Sequence, residues 1–518
     1  MRRSSIAFAL VAAGVVAAVA SCGGGGSQDE SDADSSAAEA MAAAPDVEAY
    51  RETVPTRFIT DDSGRVVLLR GTNVDSASKA TGHLSTLADP ELDRVASEFG
   101  WNSVRLLLNW SAIEPEKGRF DTAYLDEIVA HLDKWHKRGV HVILDMHQDI
   151  YGPAVGGNGA PQWATITDGL VVGKPPEGAW YLAATDPAAQ VAYQNFWDES
   201  RGHPELREHY WLAWQEVVKR VKDHPAVLGY DLMNEPVFAN GDLTATLALQ
   251  PQAAAGEFTN PNLTGFMQDG IDAVRAVDSD HWIVLAPTSL LNAFPYKGDL
   301  IAADVHDPRD GQARLIYGPH LYQPQIHDGA PRPAGDRYVV DWERFRTAEA
   351  TELDAALWIG EFGGPRIADF PAYLDEVLTM ADRQLMNWAH WSYDAGGWGP
   401  RDGDTGKVTD TGRQLTRAYA SAVAGVPTEM SFDPKTSVLR LTYATAELNE
   451  PTELSLPELV YPERPRVVAA DGVELDVAWP KAGVATVLPD VEPGTAVTVC
   501  VFPAASSEGA NSEQTCAA

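Results

Sequence analysis

From residue 58 to residue 426 the chain alternates short apolar runs with longer amphipathic stretches. The runs expected as strands are 66–74, 103–108, 141–147, 227–234, 282–287, 314–322, 357–363 and 387–393. Their centres are apolar without alternation, as in Val142-Ile143-Leu144 and Ile283-Val284-Leu285, the pattern of strands buried on both faces. Between them, 124–138 and 205–223 carry apolar residues at helical spacing. Alternating strand and helix predicts a parallel sheet with crossover helices. Eight such units predict a (β/α)8 TIM barrel with long loop insertions over 51–427. A doubly wound sheet would want a phosphate-binding glycine motif after its first strand, and none is present.

Two insertions are long for a compact domain. Residues 149–192 are rich in Gly and Pro yet carry Trp163, Leu170, Val171, Val172, Trp180 and Tyr181; residues 237–262 are plainer. Loops of that length are usually functional or disordered, and the aromatic content of the first favours function. After residue 427 the texture changes to short alternating runs with Pro and Gly between them. That predicts a small C-terminal antiparallel β-sandwich over 428–505, followed by a tail, 506–518. Two readings stay open for Cys500 and Cys516: a bridge closing the tail onto the last strand, or two unpaired thiols.

The N-terminus reads as an export signal over 1–22. Arg2-Arg3 precedes an apolar stretch, 6–20, that is too short for a permanent span. Val19-Ala20-Ser21-Cys22 resembles a bacterial lipobox, in which Cys22 is the lipidated residue; the alternative is ordinary cleavage that leaves Cys22 a spare thiol. Residues 23–50 read as a disordered tether. The expected location is extracytoplasmic, as a cell-envelope lipoprotein or a secreted protein. With 39 Lys and Arg against 74 Asp and Glu, the formal net charge is −35. An acidic excess of this size argues against nucleic-acid binding and against holding an anionic membrane by a basic patch. Three cysteines cannot form a cysteine metal cluster or a disulfide-dense scaffold.

The active site of such a barrel lies at the C-terminal ends of its strands. The residues there are Arg105 on the second strand, His147 on the third, Asn234 and Glu235 on the fourth, His320 and Tyr322 on the sixth, Glu361 on the seventh and Trp391 on the eighth. Two carboxylates facing each other across the mouth suit a retaining glycosidase, in which one protonates a leaving oxygen and the other attacks the anomeric carbon. The glutamates and histidines lack the close spacing of a metal site, so no metal is expected.

Asp231-Leu232-Met233-Asn234-Glu235-Pro236 and Ile359-Gly360-Glu361-Phe362-Gly363 resemble the family 5 glycoside hydrolases, where Asn-Glu-Pro holds the acid/base and Gly-Glu-Phe the nucleophile. Leu144-Asp145-Met146-His147-Gln148-Asp149, Pro319-His320-Leu321-Tyr322, Ser78-Lys79 and Gly157-Asn158-Gly159-Ala160-Pro161 are similar to the bacterial endoglycoceramidase branch, the ceramide glycanases. So is the run from Trp391-Ser392-Tyr393-Asp394 to Trp398-Gly399-Pro400. The resemblance implies hydrolysis of the β-bond between oligosaccharide and ceramide in glycosphingolipids (gangliosides, globosides, lactosylceramide types), without a cofactor. It implies Glu235 as acid/base and Glu361 as nucleophile, supported by Asn234, Arg105, His320 and Tyr322. Lys79, His147, Asp149, Trp180 and Trp391 would bind the first sugar. Contact with a membrane surface would come through the substrate and a lipid anchor at Cys22. Leu170 to Val172 would either line a ceramide channel or bury their own loop. The competing readings are an endogalactosylceramidase, a β-glucanase-type polysaccharide hydrolase and a non-catalytic glycolipid-binding lipoprotein.

Overall fold

The computed structural model describes residues 46–80, 82–174, 180–394, 397–504 and 516; the export segment, Cys22 and the tether to residue 45 lie outside the described residues. Eight parallel strands close into a barrel: β1 Arg70–Val74, β2 Ser103–Leu108, β3 His141–Met146, β4 Val227–Asp231, β5 Trp282–Leu285, β6 Leu315–Tyr317, β7 Ala356–Ile359 and β8 Asn387–His390. Each pairs with its neighbour in sequence, and β8 closes on β1. The expected helices form as Thr122–His136 and Glu205–Val221.

Most strands are shorter than expected, and the loss falls mainly at their C-terminal ends. In β6 the ladder stops before Pro319, which has no N–H to donate, and pairing with the seventh strand resumes only at a bridge between Leu321 and Phe362. His320, Tyr322 and Glu361 therefore sit past the regular ladder, at the mouth. The run 66–74 divides. Val66–Val67 pairs with Ile59–Thr60 in an outer sheet, whereas Arg70–Val74 enters the barrel. A continuous apolar run carries no mark of where a chain changes sheets.

Alternation along the strands builds the barrel interior in layers. Leu69, Ile143, Leu228, Val284, Ile316, Trp358 and Ala389 pack together as an apolar floor. Above it lie the buried polar groups Asn73, Arg105, Asp145 and Asp231. Ile143, Asp145 and His147 have the same inward parity, so one strand runs from floor to carboxylate to imidazole. Outward residues such as Val142 and Leu144 join the larger core beneath Ile128, Leu132 and Trp135 of the surrounding helices.

The C-terminal sandwich has a four-stranded sheet containing Gly425–Asp433, Val438–Thr445, Ala496–Phe502 and Arg466–Ala469. Its six-stranded partner contains Tyr419–Val423, Thr452–Ser455, Val484–Pro489 and Leu475–Lys481, completed by Ile59–Thr60 and Val66–Val67. The boundary expected at 427/428 falls inside the strand Gly425–Asp433, and the sandwich borrows a hairpin from the start of the chain. Residues 47–50 of the expected tether belong to a helix, Val47–Arg51, capped by the Asp46 side chain. Glu48 in this helix pairs with Arg314 at 3.2 Å, which holds it against the barrel base. Cys500 and Cys516 form a disulfide, so the bridged reading is the one realised.

Candidate active site

Arg105 organises the centre. It is fully buried, and its guanidinium reaches Glu361 Oε1 at 2.7 Å, Asn73 Oδ1 at 3.1 Å and Asn234 Oδ1 at 2.9 Å. It also pairs with Asp145 and Asp231, each at 2.9 Å. One cation among three carboxylates leaves the cluster anionic. Burial works against the charge on Arg105, but Asp145, Asp231 and Glu361 outweigh it and push its pKa further up. Burial pushes Asp231 up to about 6, with Arg105 opposing and Asp145 reinforcing.

Glu361 is buried and receives two different donors. Arg105 binds Oε1, and the Tyr322 hydroxyl donates to Oε2 at 2.9 Å. Glu235 is more open, with 28% of its side chain exposed. Its Oε1 lies 2.8 Å from His320 Nδ1 and accepts from Asn292 Nδ2 at 2.8 Å. His320 Nδ1 is also 3.5 Å from Glu361 Oε2. One ligand atom each from Glu235, His320 and Glu361 lie within 4.8 Å of one another. Carboxyls this close match the retaining geometry of about 5–5.5 Å and not the wider inverting one. Burial lowers the His320 pKa, but the two glutamates more than compensate and raise it. For Glu235, burial raises the pKa, and the His320 hydrogen bond and charge bring it below the usual carboxylate value.

Local structure aims these groups. Glu235 has φ +42°, an uncommon backbone for a non-glycine residue. Gln148 Nε2 donates to the carbonyls of both Asn234 and Glu235, at 2.9 and 3.0 Å, and so holds that turn. Gln148 is itself fixed by the Tyr193 hydroxyl at 2.9 Å. Gly360 keeps space beside His320: a Cβ there would stand 3.1 Å from the imidazole ring.

The remaining expected residues form a second group. Lys79 Nζ pairs with Asp149 Oδ2 at 2.8 Å and lies 4.0 Å over the Trp391 ring. His147 places Nδ1 2.7 Å from Asp145 and Nε2 3.4 Å from the same Asp149 Oδ2, with its ring stacked near Trp391. Lys79 and His147 thus meet at one oxygen of Asp149 beside the Trp391 ring. Asn158 Nδ2 donates to Asp149 at 2.8 Å, tying the long insertion to the site. Trp180 begins a short 3-10 helix, Trp180–Thr185, but its side chain lies outside the described residues. Leu170 and Val171 are 45% and 90% exposed, so neither buries the loop; Val172 is the one that packs on the core.

Asn73, Asp145, Asp231, Gln148 and Asn292 complete the site without having been singled out from the sequence. Asp145 and Asp231 stand in the quoted strand motifs, and strand parity with His147 would have pointed Asp145 inward. Asn292 sits in a helix of four residues, Leu290–Ala293, too short to show a period. Among the described residues, Glu235, His320 and Glu361 are the donor set closest to a metal arrangement. However, the Arg105 guanidinium already binds Glu361 at 2.7 Å, and its fixed charge opposes a divalent cation there.

Opposed carboxylates at this separation suit double displacement at an anomeric carbon, and the barrel that carries them is a glycoside hydrolase. The chain belongs to glycoside hydrolase family 5. Residues 61–397 match the cellulase (glycosyl hydrolase family 5) domain, and residues 417–501 match the glycoside hydrolase family 5 C-terminal domain. Endoglycoceramidase I of Rhodococcus hoagii is 29% identical over 457 residues, covering 83% of this chain and 84% of that protein. The structure of endo-glycoceramidase II from Rhodococcus sp. in an iminocyclitol complex is 35% identical with a TM-score of 0.78, covering 86% of this chain and 100% of that one. That enzyme has also been solved with ganglioside GM3 and as a lactosyl-enzyme intermediate. An endogalactoceramidase structure is 25% identical with a TM-score of 0.64, covering 87% and 99% of the two chains.

Proposed function

We propose that the protein is a retaining endo-glycosidase that cuts the β-bond between the oligosaccharide and ceramide of glycosphingolipids. The observation that carries this reading is the pair of unlike carboxylates, Glu235 and Glu361, on a barrel similar to endo-glycoceramidase II over 86% of the chain. In the first step Glu361 attacks the anomeric carbon while the C–O bond to ceramide breaks. The bond's electron pair goes to the ceramide oxygen, which takes a proton from Glu235. In the second step Glu235, now a carboxylate, removes a proton from water, and the water oxygen displaces Glu361 from the sugar. Arg105 and the Tyr322 hydroxyl hold Glu361 ready for attack. Asn234, itself oriented by Arg105, presents its amide to the sugar 2-hydroxyl, and the Trp391 ring forms the floor.

Glu235 must carry a proton in the first step, although His320 depresses its pKa in the free enzyme. Burial favours the neutral form of Glu235, and a bound glycolipid adds to that burial and raises its pKa. The test is release of free oligosaccharide from a ganglioside, with matched glucosyl- and galactosylceramides beside it. Intact glycan and free ceramide support the reading; cleavage of soluble β-glucan without any glycolipid cleavage refutes it.

For location, our reading is export and lipidation at Cys22. The Cys500–Cys516 disulfide supports it, since such bridges persist in oxidising compartments. Among the described residues no helix is long and apolar enough to cross a membrane.

A further inference from the structure

Resting on the acid/base assignment of Glu235, we infer that Asn292 and Tyr338 are positioning residues that decide which oxygen of Glu235 carries the catalytic proton. Glu235 Oε1 is contacted twice, by His320 Nδ1 and Asn292 Nδ2, each at 2.8 Å. Among the described residues none donates to Oε2. An sp2 oxygen has two lone pairs, so when Glu235 is neutral and both donors are in place, Oε1 is fully used as an acceptor. The acid hydrogen is then confined to Oε2, the atom left to face a leaving oxygen. Without Asn292, Oε1 has a free lone pair, and the proton can sit on the oxygen turned away from the substrate.

Asn292 can hold this position because its backbone is braced. Tyr338, buried at the start of the helix Tyr338–Glu352, directs its hydroxyl to the Asn292 carbonyl and lies 3.0 Å from the Tyr322 carbonyl. The Tyr322 N–H donates to the same Asn292 carbonyl at 3.2 Å. Tyr322 is the residue whose own hydroxyl binds Glu361. One buried phenol thus joins the backbone that holds the acid/base to the backbone that holds the nucleophile. Neither Asn292 nor Tyr338 touches the reacting atoms; each acts through Glu235 or Tyr322.

The test compares Asn292→Ala, Asn292→Asp, Tyr338→Phe and Glu235→Ala on two substrates. Lactosylceramide has an alkoxide leaving group that needs a proton, and 2,4-dinitrophenyl lactoside has a phenolate that does not. Asn292→Ala is expected to lose roughly tenfold in kcat/KM on the lipid and much less on the aryl glycoside, the loss of a hydrogen bond to a charged group. The basic limb of its pH profile moves up, because a donor to the carboxylate is gone. Asn292→Asp keeps the side-chain size, guarding against a folding defect, and moves that limb further by adding like charge. Tyr338→Phe loses activity on both substrates, because it braces both donors. Equal losses on the two substrates with unmoved pH profiles in both Asn292 variants would overturn the inference. If Glu235→Ala itself fails to discriminate between the leaving groups, the acid/base assignment is what falls.

Discussion

Replacing His320 by Gln removes the imidazolium 2.8 Å from Glu235 Oε1 while keeping a neutral donor of similar reach. His320 is buried, so its charge acts on Glu235 with little screening. A hydrogen bond from a charged donor contributes about 1.5–3 kcal/mol and a neutral one about 0.5–1.5 kcal/mol. The difference, about 1–1.5 kcal/mol, corresponds to about one pKa unit. The sign is set by what remains: burial raises the Glu235 pKa, and the His320 hydrogen bond and charge lower it most. Glu235→neutral therefore becomes easier, and the basic limb of kcat/KM, which reports the acid/base, should move up by about one unit. Stability follows the same pair. The raised His320 contributes fully below the unfolded imidazole value and less as pH rises through its folded value. The lowered Glu235 contributes fully above the unfolded carboxylate value and less as pH falls through its folded value. The wild-type advantage in melting temperature over His320→Gln should thus be greatest between those two ranges. The assay is kcat/KM on lactosylceramide from acid to alkaline pH, with melting curves at the same points. A basic limb that stays in place or moves down would refute the coupling between His320 and Glu235.

Glu361→Gly should abolish turnover even of activated aryl glycosides, and azide in the vacated space should yield the α-glycosyl azide. Glu235→Ala should still form the covalent intermediate with good leaving groups, and azide should open it to the β-glycosyl azide; exchanged anomers would exchange the roles. Trp391→Ala should weaken transition-state binding by about 1–3 kcal/mol with little change in melting temperature; a collapse in stability with normal kcat/KM in the folded fraction would make it a core residue. Wild-type protein should partition into detergent and Cys22→Ser into the medium; a wholly soluble wild type beginning downstream of Cys22 would rule out the anchor.

Much of the site was legible because the barrel turns sequence order into geometry. Each strand delivers its terminal residues to the same mouth, so Arg105, Glu235, His320, Tyr322 and Glu361 meet although 256 residues separate Arg105 from Glu361 along the chain. Asn292 and Tyr338 were not legible. Asn292 lies in a four-residue helix, Leu290–Ala293, and Tyr338 at a helix start, where no period or motif marks a side chain as facing the site. Trp391 shows a subtler gap: its aromatic ring suggests stacking, but its neighbours Lys79 and His147, joined through one oxygen of Asp149, come from other segments.

The sequence by itself determined the barrel and the pair of facing carboxylates, because both are written in short-range pattern. Doubly buried strands must be apolar throughout their centres, and a strand-end motif such as Asn234-Glu235-Pro236 is local. Tertiary structure alone decided where strands change sheets and which donors each carboxylate receives. The hairpin containing Ile59–Thr60 and Val66–Val67 joins a sandwich whose next strand is Tyr419–Val423, a pairing made across the whole barrel. The unlike surroundings of Glu235 and Glu361 likewise come from distant segments. Hydrogen bonds and burial depend on distance in space, and nothing in local composition encodes that distance.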